Sequence, residues 1–141
     1  MIGDKTRLDA DIREKIADLE EATKDNTGLH FQIAINYGGR DEIRRAVAEI
    51  ARKAANGELQ SEDITEDLIE EHLDTAGLPA PDLLIRNCGE QRISNFLLWQ
   101  NAYTEFYFTP VAWPDFSKEE LEKAIAAYNQ RDRKYGGVKE E

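Results

Sequence analysis

The chain has 141 residues, enough for one domain that buries about two-thirds of its unfolded surface. Its 29 acidic and 18 basic side chains give a net charge of −11, which argues against binding to nucleic acid or to an anionic membrane surface. The single cysteine excludes an intrachain disulfide, and neither a signal peptide nor a membrane-spanning run is predicted. We therefore expect a cytoplasmic protein whose residues 1–141 form a single domain.

A helix and a strand are predicted before residue 40. Apolar residues at helical spacing predict an amphipathic surface helix that buries Ile12, Ile16 and Leu19. Apolar and polar side chains then alternate from Leu29 to Tyr37, which predicts a strand that ends at Gly38-Gly39.

Two helices are predicted between residues 41 and 77. The apolar stripe of the longer helix is expected on Ile43, Val47, Ile50 and Ala54. The shorter helix is expected from about Ile64 to Leu73, with Ser61 or Thr65 as its N-terminal cap.

The second half of the chain is richer in apolar residues, and the run "LLI" predicts a short buried strand. The stretch Ile93–Phe106 is apolar nearly all round, which predicts a helix buried on more than one side, with Ser94 at its N-cap. Another strand is expected near residues 106–108. A capping box of Ser117 and Glu120 predicts the start of a final helix.

The alternation of strands and helices predicts an α/β fold with a mainly parallel sheet flanked by helices. In such sheets ligands bind at the carboxyl ends of the strands, where Asn36 and Arg86 are expected. Only two clear strands and one further candidate are present, although a parallel sheet normally has more neighbours and both faces covered. The pattern is that of the back half of a larger domain.

The window Leu83–Phe108 is poor in charge. At the chain-wide 33% of charged residues it would hold roughly nine charged side chains. It holds Arg86, Glu90, Arg92 and Glu105. This depletion predicts burial, and a buried charge must be paired or must bind a ligand.

Two arginines close together predict an oxyanion site, because guanidinium groups match phosphate or carboxylate oxygens. Gly89 would let the backbone approach such a ligand, and the helix start at Ser94 would add free N–H groups. The alternative is that Arg86 or Arg92 simply pairs with Glu90 and that Ser94 is only a cap.

Glu105 is a lone carboxylate in the aromatic run "YTEFYF". It could hold Mg²⁺, which prefers a few carboxylates together with substrate phosphates, or it could pair with a lysine or arginine. It follows Ser94 by 11 residues, about 16 Å along a helix, so the two side chains cannot easily reach one phosphate. Either this helix breaks early, or a second copy of the chain supplies one of the two side chains. We favour the second alternative, a homodimer packed through the helix Ile93–Phe106.

Three stretches carry a resemblance to a known family: "INYGGRDEI", "HLDTAGLPAPDLLIRNCGEQRISNFLLWQNAYTEFYFTPVAWPDF" and "RDRKYGGV". They resemble the C-terminal half of undecaprenyl diphosphate synthases, which are bacterial cis-prenyltransferases, also called isoprenyl transferases. The resemblance runs from about Ile2 to Val138 and leaves 138–141 as a tail. It implies a cis-prenyltransferase fold that lacks its N-terminal strands.

The family condenses isopentenyl diphosphate onto an allylic diphosphate with the help of Mg²⁺ and forms Z double bonds. The resemblance therefore implies a homodimeric cytoplasmic enzyme that makes an undecaprenyl-type lipid carrier and touches the membrane face only transiently. By position, it implies that isopentenyl diphosphate is bound by Arg86, Arg92, Ile93 and Ser94. It also implies loop-ordering roles for Glu90 and Gly89, a magnesium-binding role for Glu105 and a tail motif at Arg133 and Gly136.

Two departures from the family pattern stand out. Asn87 and Cys88 replace the usual Thr followed by Ser or Gly. More importantly, the Asp-Gly-Asn-Gly-Arg loop that binds the allylic diphosphate and supplies the essential aspartate does not occur. We therefore expect no condensation by this chain alone. It is expected to be either the C-terminal portion of a transferase, or a non-catalytic partner or complementing half-subunit of one.

Overall fold

The computed structural model describes residues 1–132, and the chain divides into two compact units, Met1–Leu78 and Pro79–Glu141. The first unit contains helices α1 (Ala10–Thr23), α2 (Gly39–Ala55) and α3 (Glu66–Glu70). In the described part of the second unit, strands β1 (Leu83–Arg86) and β2 (Glu105–Phe108) precede helix α4 (Lys118–Asn129). Short 3-10 turns are also present at Lys5–Arg7, Ser61–Asp63, Gln100–Tyr103 and Trp113–Asp115.

Helix α1 confirms the first predicted helix, but it buries less than expected. Ile16 is buried, whereas Ile12 and Leu19 remain 39% and 52% exposed. The predicted stripe of α2 is also partly wrong, because Val47 is 55% exposed. The buried stripe is instead formed, at i, i+4 and i+8, by Glu42, Ala46 and Ile50.

A glutamate lies in this stripe because its carboxylate is well hydrogen-bonded. Glu42 is 1% exposed and accepts hydrogen bonds from the Tyr37 hydroxyl at 2.5 Å and from the Asp74 backbone N–H at 2.8 Å. Asp74 in turn accepts two hydrogen bonds from Arg45, at 2.8 and 2.7 Å, and one from the Gly3 backbone N–H at 2.9 Å. These groups join α2, the turn after α3 and the first residues of the chain.

The strand predicted from Leu29 to Tyr37 is not formed as a strand. The segment makes one isolated parallel bridge, between Ala34 and Ile2, supported by hydrogen bonds from Ile2 N to Ile33 O and from Ile35 N to Ile2 O. A strand requires a neighbour along its length, and among residues 1–132 only the first few residues supply one.

Helix α3 confirms the shorter predicted helix over five residues only. Thr65 is its cap, because the Thr65 side chain accepts a hydrogen bond from the Leu68 backbone N–H at 3.2 Å. The chain then continues in turns, and Leu73, the predicted end of the helix, is buried at 4% exposure.

The second unit confirms both predicted strands and their parallel pairing. Leu83 is the register partner of Glu105, and Arg86 is the register partner of Phe108. Helix α4 packs against β2 and buries Ala124 completely. The capping box predicted for α4 is wrong, because the Ser117 hydroxyl donates to the Glu119 carboxylate at 2.6 Å and makes no cap hydrogen bond to the helix.

The helix predicted for Ile93–Phe106 is also wrong. Ser94, Asn95 and Leu97 have φ angles of 49°, 64° and 47°, and left-handed residues so close together interrupt an α-helix. The segment forms turns and then the short 3-10 helix Gln100–Tyr103. Among the described residues, no helix combines the length and the apolar composition needed to cross a membrane.

Candidate anion-binding site

The arginine loop, residues 86–92, begins where β1 ends. Its backbone is fixed to the segment that follows β2 by three hydrogen bonds. They run from Thr109 N to Arg86 O at 2.9 Å, from Gly89 N to Thr109 O at 2.8 Å and from Cys88 N to Val111 O at 3.0 Å. Arg86 therefore lies at the carboxyl end of a parallel strand, as predicted.

Both arginines of this loop reach the same carboxylate. Arg86 Nη2 donates to one oxygen of Glu90, and Arg92 Nη2 donates to the other. The hydrogen bond from Arg86 is the main reason why the pKa of Glu90 is lowered. The predicted pairing with Glu90 is thus present, and it shows that two guanidinium groups converge on one position occupied by an anionic group.

Two side-chain donors of the arginine loop are buried without a hydrogen-bond partner among the described residues. They are Nε of Arg86 and Nδ2 of Asn87. A buried donor without an acceptor costs about 1–3 kcal/mol, so an acceptor that reached either atom would be stabilised. Asn87 was not predicted as a site residue, although an amide directly after a strand-end arginine is a signal that could have indicated it.

The remaining predicted site residues do not form the expected helix start. Ser94 has a left-handed φ of 49° and does not cap a helix, so it offers no row of free helical N–H groups. Ile93 is half-buried, and its carbonyl accepts a hydrogen bond from Phe96 N at 2.9 Å. Gly89 has a φ of 68°, which glycine adopts readily, and this conformation turns the loop.

Cys88 is in the left-handed region as well, with a φ of 63° and an exposed side chain. We expect Cys88→Gly to stabilise the protein by about 0.5–1 kcal/mol, because relief of the left-handed strain exceeds the extra entropy of glycine in the unfolded chain. Urea unfolding measures this change. Cys88→Ser is the matched control and should leave the unfolding midpoint almost unchanged, since serine keeps the strain; equal midpoints for the Gly and Ser variants would contradict the prediction.

Glu105 is not adjacent to the arginine loop along the sheet. Glu105 begins β2, and its register partner on β1 is Leu83. Arg86 follows Leu83 by three residues, so Arg86 lies about 10 Å farther along the strand direction than Glu105. The Glu105 carboxylate accepts a hydrogen bond from Arg131 Nη1 at 2.5 Å, and Arg131 Nη2 donates to the Phe106 carbonyl at 2.6 Å. Of the two alternatives for Glu105, the structure contains the pairing with an arginine.

The fit of Glu105 to Mg²⁺ depends on what else is bound. Among residues 1–132, no group of three or more His, Cys, Asp and Glu side chains is arranged to hold a metal ion. One partly exposed carboxylate suits Mg²⁺ only when phosphate oxygens and water complete the coordination. Arg133 and Gly136, which resemble the tail motif, lie outside the described residues.

Comparison with known proteins identifies the family. The family model described as "Putative undecaprenyl diphosphate synthase" matches residues 1–136. The chain belongs to the undecaprenyl diphosphate synthase family. It is 50% identical over 141 residues to the isoprenyl transferase of Agrobacterium fabrum, and the match covers 100% of this chain and 57% of that protein.

Two further relatives agree with this assignment. The ditrans,polycis-undecaprenyl-diphosphate synthase ((2E,6E)-farnesyl-diphosphate specific) of Vibrio vulnificus is 50% identical over 136 residues, which are 96% of this chain and 54% of that protein. The crystal structure of lavandulyl diphosphate synthase from Lavandula x intermedia, in complex with dimethylallyl diphosphate, superposes with a TM-score of 0.93 at 47% identity. That superposition covers 96% of this chain and 58% of the plant chain.

The predicted α/β fold with a parallel sheet, of the cis-prenyltransferase type, is therefore confirmed. The chain spans a little over half the length of the curated relatives that it matches.

Proposed function

We propose that this chain carries the isopentenyl-diphosphate-binding part of an isoprenyl transferase. The complete enzyme would condense isopentenyl diphosphate with an allylic diphosphate to a Z-polyprenyl diphosphate, an undecaprenyl-type lipid carrier. The observation that supports this most directly is the convergence of Arg86 and Arg92 on a single carboxylate. A diphosphate carries more negative charge than a carboxylate and offers more acceptor oxygens to two guanidinium groups.

In this proposal Glu90 holds the two arginines in place before substrate arrives. Ordering two long side chains on binding costs conformational entropy, and a loop already ordered by an internal ion pair avoids part of that cost. The incoming diphosphate replaces the Glu90 carboxylate at the guanidinium groups. It also gives the buried Nε of Arg86 and Nδ2 of Asn87 an acceptor.

Mg²⁺ would bind through Glu105 and would neutralise charge on a diphosphate. Because Glu105 begins β2 and Arg86 ends β1, we propose that two chains of a homodimer contribute to one complete site.

The segment 93–106 would form the dimer contact in its non-helical form, since Phe96 and Tyr103 are 38% and 70% exposed. The enzyme would be cytoplasmic and would contact the membrane face only transiently.

The second candidate is a complementing half-subunit without activity of its own. It is favoured by the segment from Leu29 to Ile33, where the side chains of Leu29 and Phe31 are 90% and 74% exposed. Within residues 1–132 the bridge of this region lies at Ala34, just after the segment, so the segment itself is suited to pair with a strand supplied by another part of the protein or by another chain.

Complementation tests both candidates. We expect no polyprenyl diphosphate from the chain alone and Mg²⁺-dependent product when the front half of the Agrobacterium fabrum relative is added, because that half would supply the allylic site. The front half alone, and the front half with the Arg92→Ala chain, serve as controls. Product from the unaided chain would contradict the half-site proposal, whereas binding of the two halves without product would favour the non-catalytic partner.

A further inference from the structure

The described part of the second unit contains a contact that the substrate site does not use. Arg131, two residues after the end of α4, reaches back to the first two residues of β2. One of its guanidinium nitrogens donates to Glu105 Oε2 at 2.5 Å and the other donates to the Phe106 carbonyl oxygen at 2.6 Å. The fork of Arg131 thereby binds a side chain and the adjacent backbone together.

This contact occupies the group proposed to bind a cation. A carboxylate that accepts a hydrogen bond from a guanidinium group offers less electron density and less space to a divalent ion. The guanidinium charge also repels that ion. The side chains of Arg131 and Glu105 are 35% and 28% exposed, so water screens the pair only in part.

We propose that Arg131 is a positioning residue that competes with a divalent cation for Glu105, so that cation binding and attachment of the segment after α4 exclude each other. The inference rests on the proposed role of Glu105 as a cation ligand. Linkage makes the effect reciprocal: if Arg131 weakens cation binding by some factor, the cation weakens the Arg131 contact by the same factor.

Mn²⁺ binding to the full chain at one fixed concentration of inorganic phosphate tests the first half of the inference, because Glu105 alone does not complete the coordination of the ion. Electron paramagnetic resonance of the free ion measures the binding. Arg131→Gln should raise Mn²⁺ affinity by about three- to tenfold, as expected for loss of one partly screened ion pair. Glu105→Gln should abolish the same binding. Arg52→Gln is the matched control, because Arg52 also pairs with a glutamate, Glu49, and its loss changes the net charge equally.

Nuclear magnetic resonance tests the reciprocal half. Addition of Mg²⁺ to the unmodified chain, at the same concentration of inorganic phosphate, should shift the Arg131 guanidinium signals toward those of a free arginine, and the shift should be absent in Glu105→Gln. The inference is overturned if Arg131→Gln binds Mn²⁺ no more tightly than Arg52→Gln. It is equally overturned if none of the variants binds Mn²⁺, or if Glu105→Gln still binds it.

The Arg131 inference and the proposed function can fail independently of each other. Isopentenyl diphosphate binding is measured by calorimetry on the same preparations without metal. If the chain binds isopentenyl diphosphate and Arg131→Gln leaves Mn²⁺ affinity unchanged, only the Arg131 inference fails. If Arg131→Gln raises Mn²⁺ affinity and the chain does not bind isopentenyl diphosphate, the proposed function fails and the competition for Glu105 remains.

Discussion

Arg92→Ala should lower the affinity of the chain for isopentenyl diphosphate by about ten- to a hundredfold, the effect expected for loss of one charge-assisted hydrogen-bonding group. Arg92 is 63% exposed and makes its ion pair with Glu90, so its removal should affect the binding of an anion more than the stability of the fold. Isothermal titration calorimetry with isopentenyl diphosphate at fixed ionic strength measures the change.

Arg44→Ala is the matched control for this measurement. Arg44 is 65% exposed and also pairs with a carboxylate, that of Asp41, but it lies in α2. It should leave isopentenyl diphosphate affinity unchanged. Arg92→Lys keeps the charge and loses the planar fork, so its affinity should fall between that of the unmodified chain and that of Arg92→Ala. Equal affinities for Arg92→Ala and Arg44→Ala would refute the proposed role of the loop.

Asp74→Ala should destabilise the first unit by about 2–4 kcal/mol, because it removes an acceptor for three hydrogen bonds of which two come from a charged group. The Asp74 side chain is only 14% exposed, so water replaces these bonds poorly. The Gly3 N–H would lose its acceptor, and Arg45 would retain its contact with Asp41. Urea unfolding followed by far-ultraviolet circular dichroism measures the loss.

Asp41→Ala distinguishes the network from a simple loss of charge. Asp41 also accepts a hydrogen bond from Arg45, and the pKa of its carboxyl is lowered chiefly by the hydrogen bond from Arg44. Its side chain is 45% exposed, however, so its removal should cost much less than that of Asp74. Similar unfolding midpoints for the two variants would show that the Asp74 contacts contribute little.

Local sequence patterns correctly predicted those helices and strands whose apolar residues follow a clear periodicity or a continuous run. The run "LLI" and the aromatic segment after Thr104 were predicted as strands, and both form in parallel register. Helices α1 and α2 were predicted from apolar spacing, and α4 was predicted from a capping box. For these helices and strands, the predictions that were wrong concerned individual side chains. Val47 is exposed although it was expected in the buried stripe of α2, and the Ser117 hydroxyl bonds to Glu119 instead of capping α4.

Local sequence patterns also predicted the candidate site only in part. The sequence predicted that Arg86 lies at the end of a strand. It left open whether Glu90 pairs with the arginines or only lies beside an anion site, and in the structure Glu90 pairs with both arginines. It did not indicate the buried Nδ2 of Asn87 or the attachment of Arg131 to Glu105. Residues 105 and 131 are far apart in sequence, and no local pattern encodes such a contact.

The sequence by itself determined the family and the α/β class, because a dense motif and the alternation of helix and strand patterns are properties of neighbouring residues. Only the tertiary structure decided that Leu29–Tyr37 forms no strand within residues 1–132, since a strand depends on hydrogen bonds to a distant neighbour. Only the tertiary structure decided that Ile93–Phe106 breaks at three left-handed residues, and that Glu42 is buried against Tyr37 and Asp74. In each case the deciding free energy comes from contacts across the fold, which hydrophobic periodicity does not report.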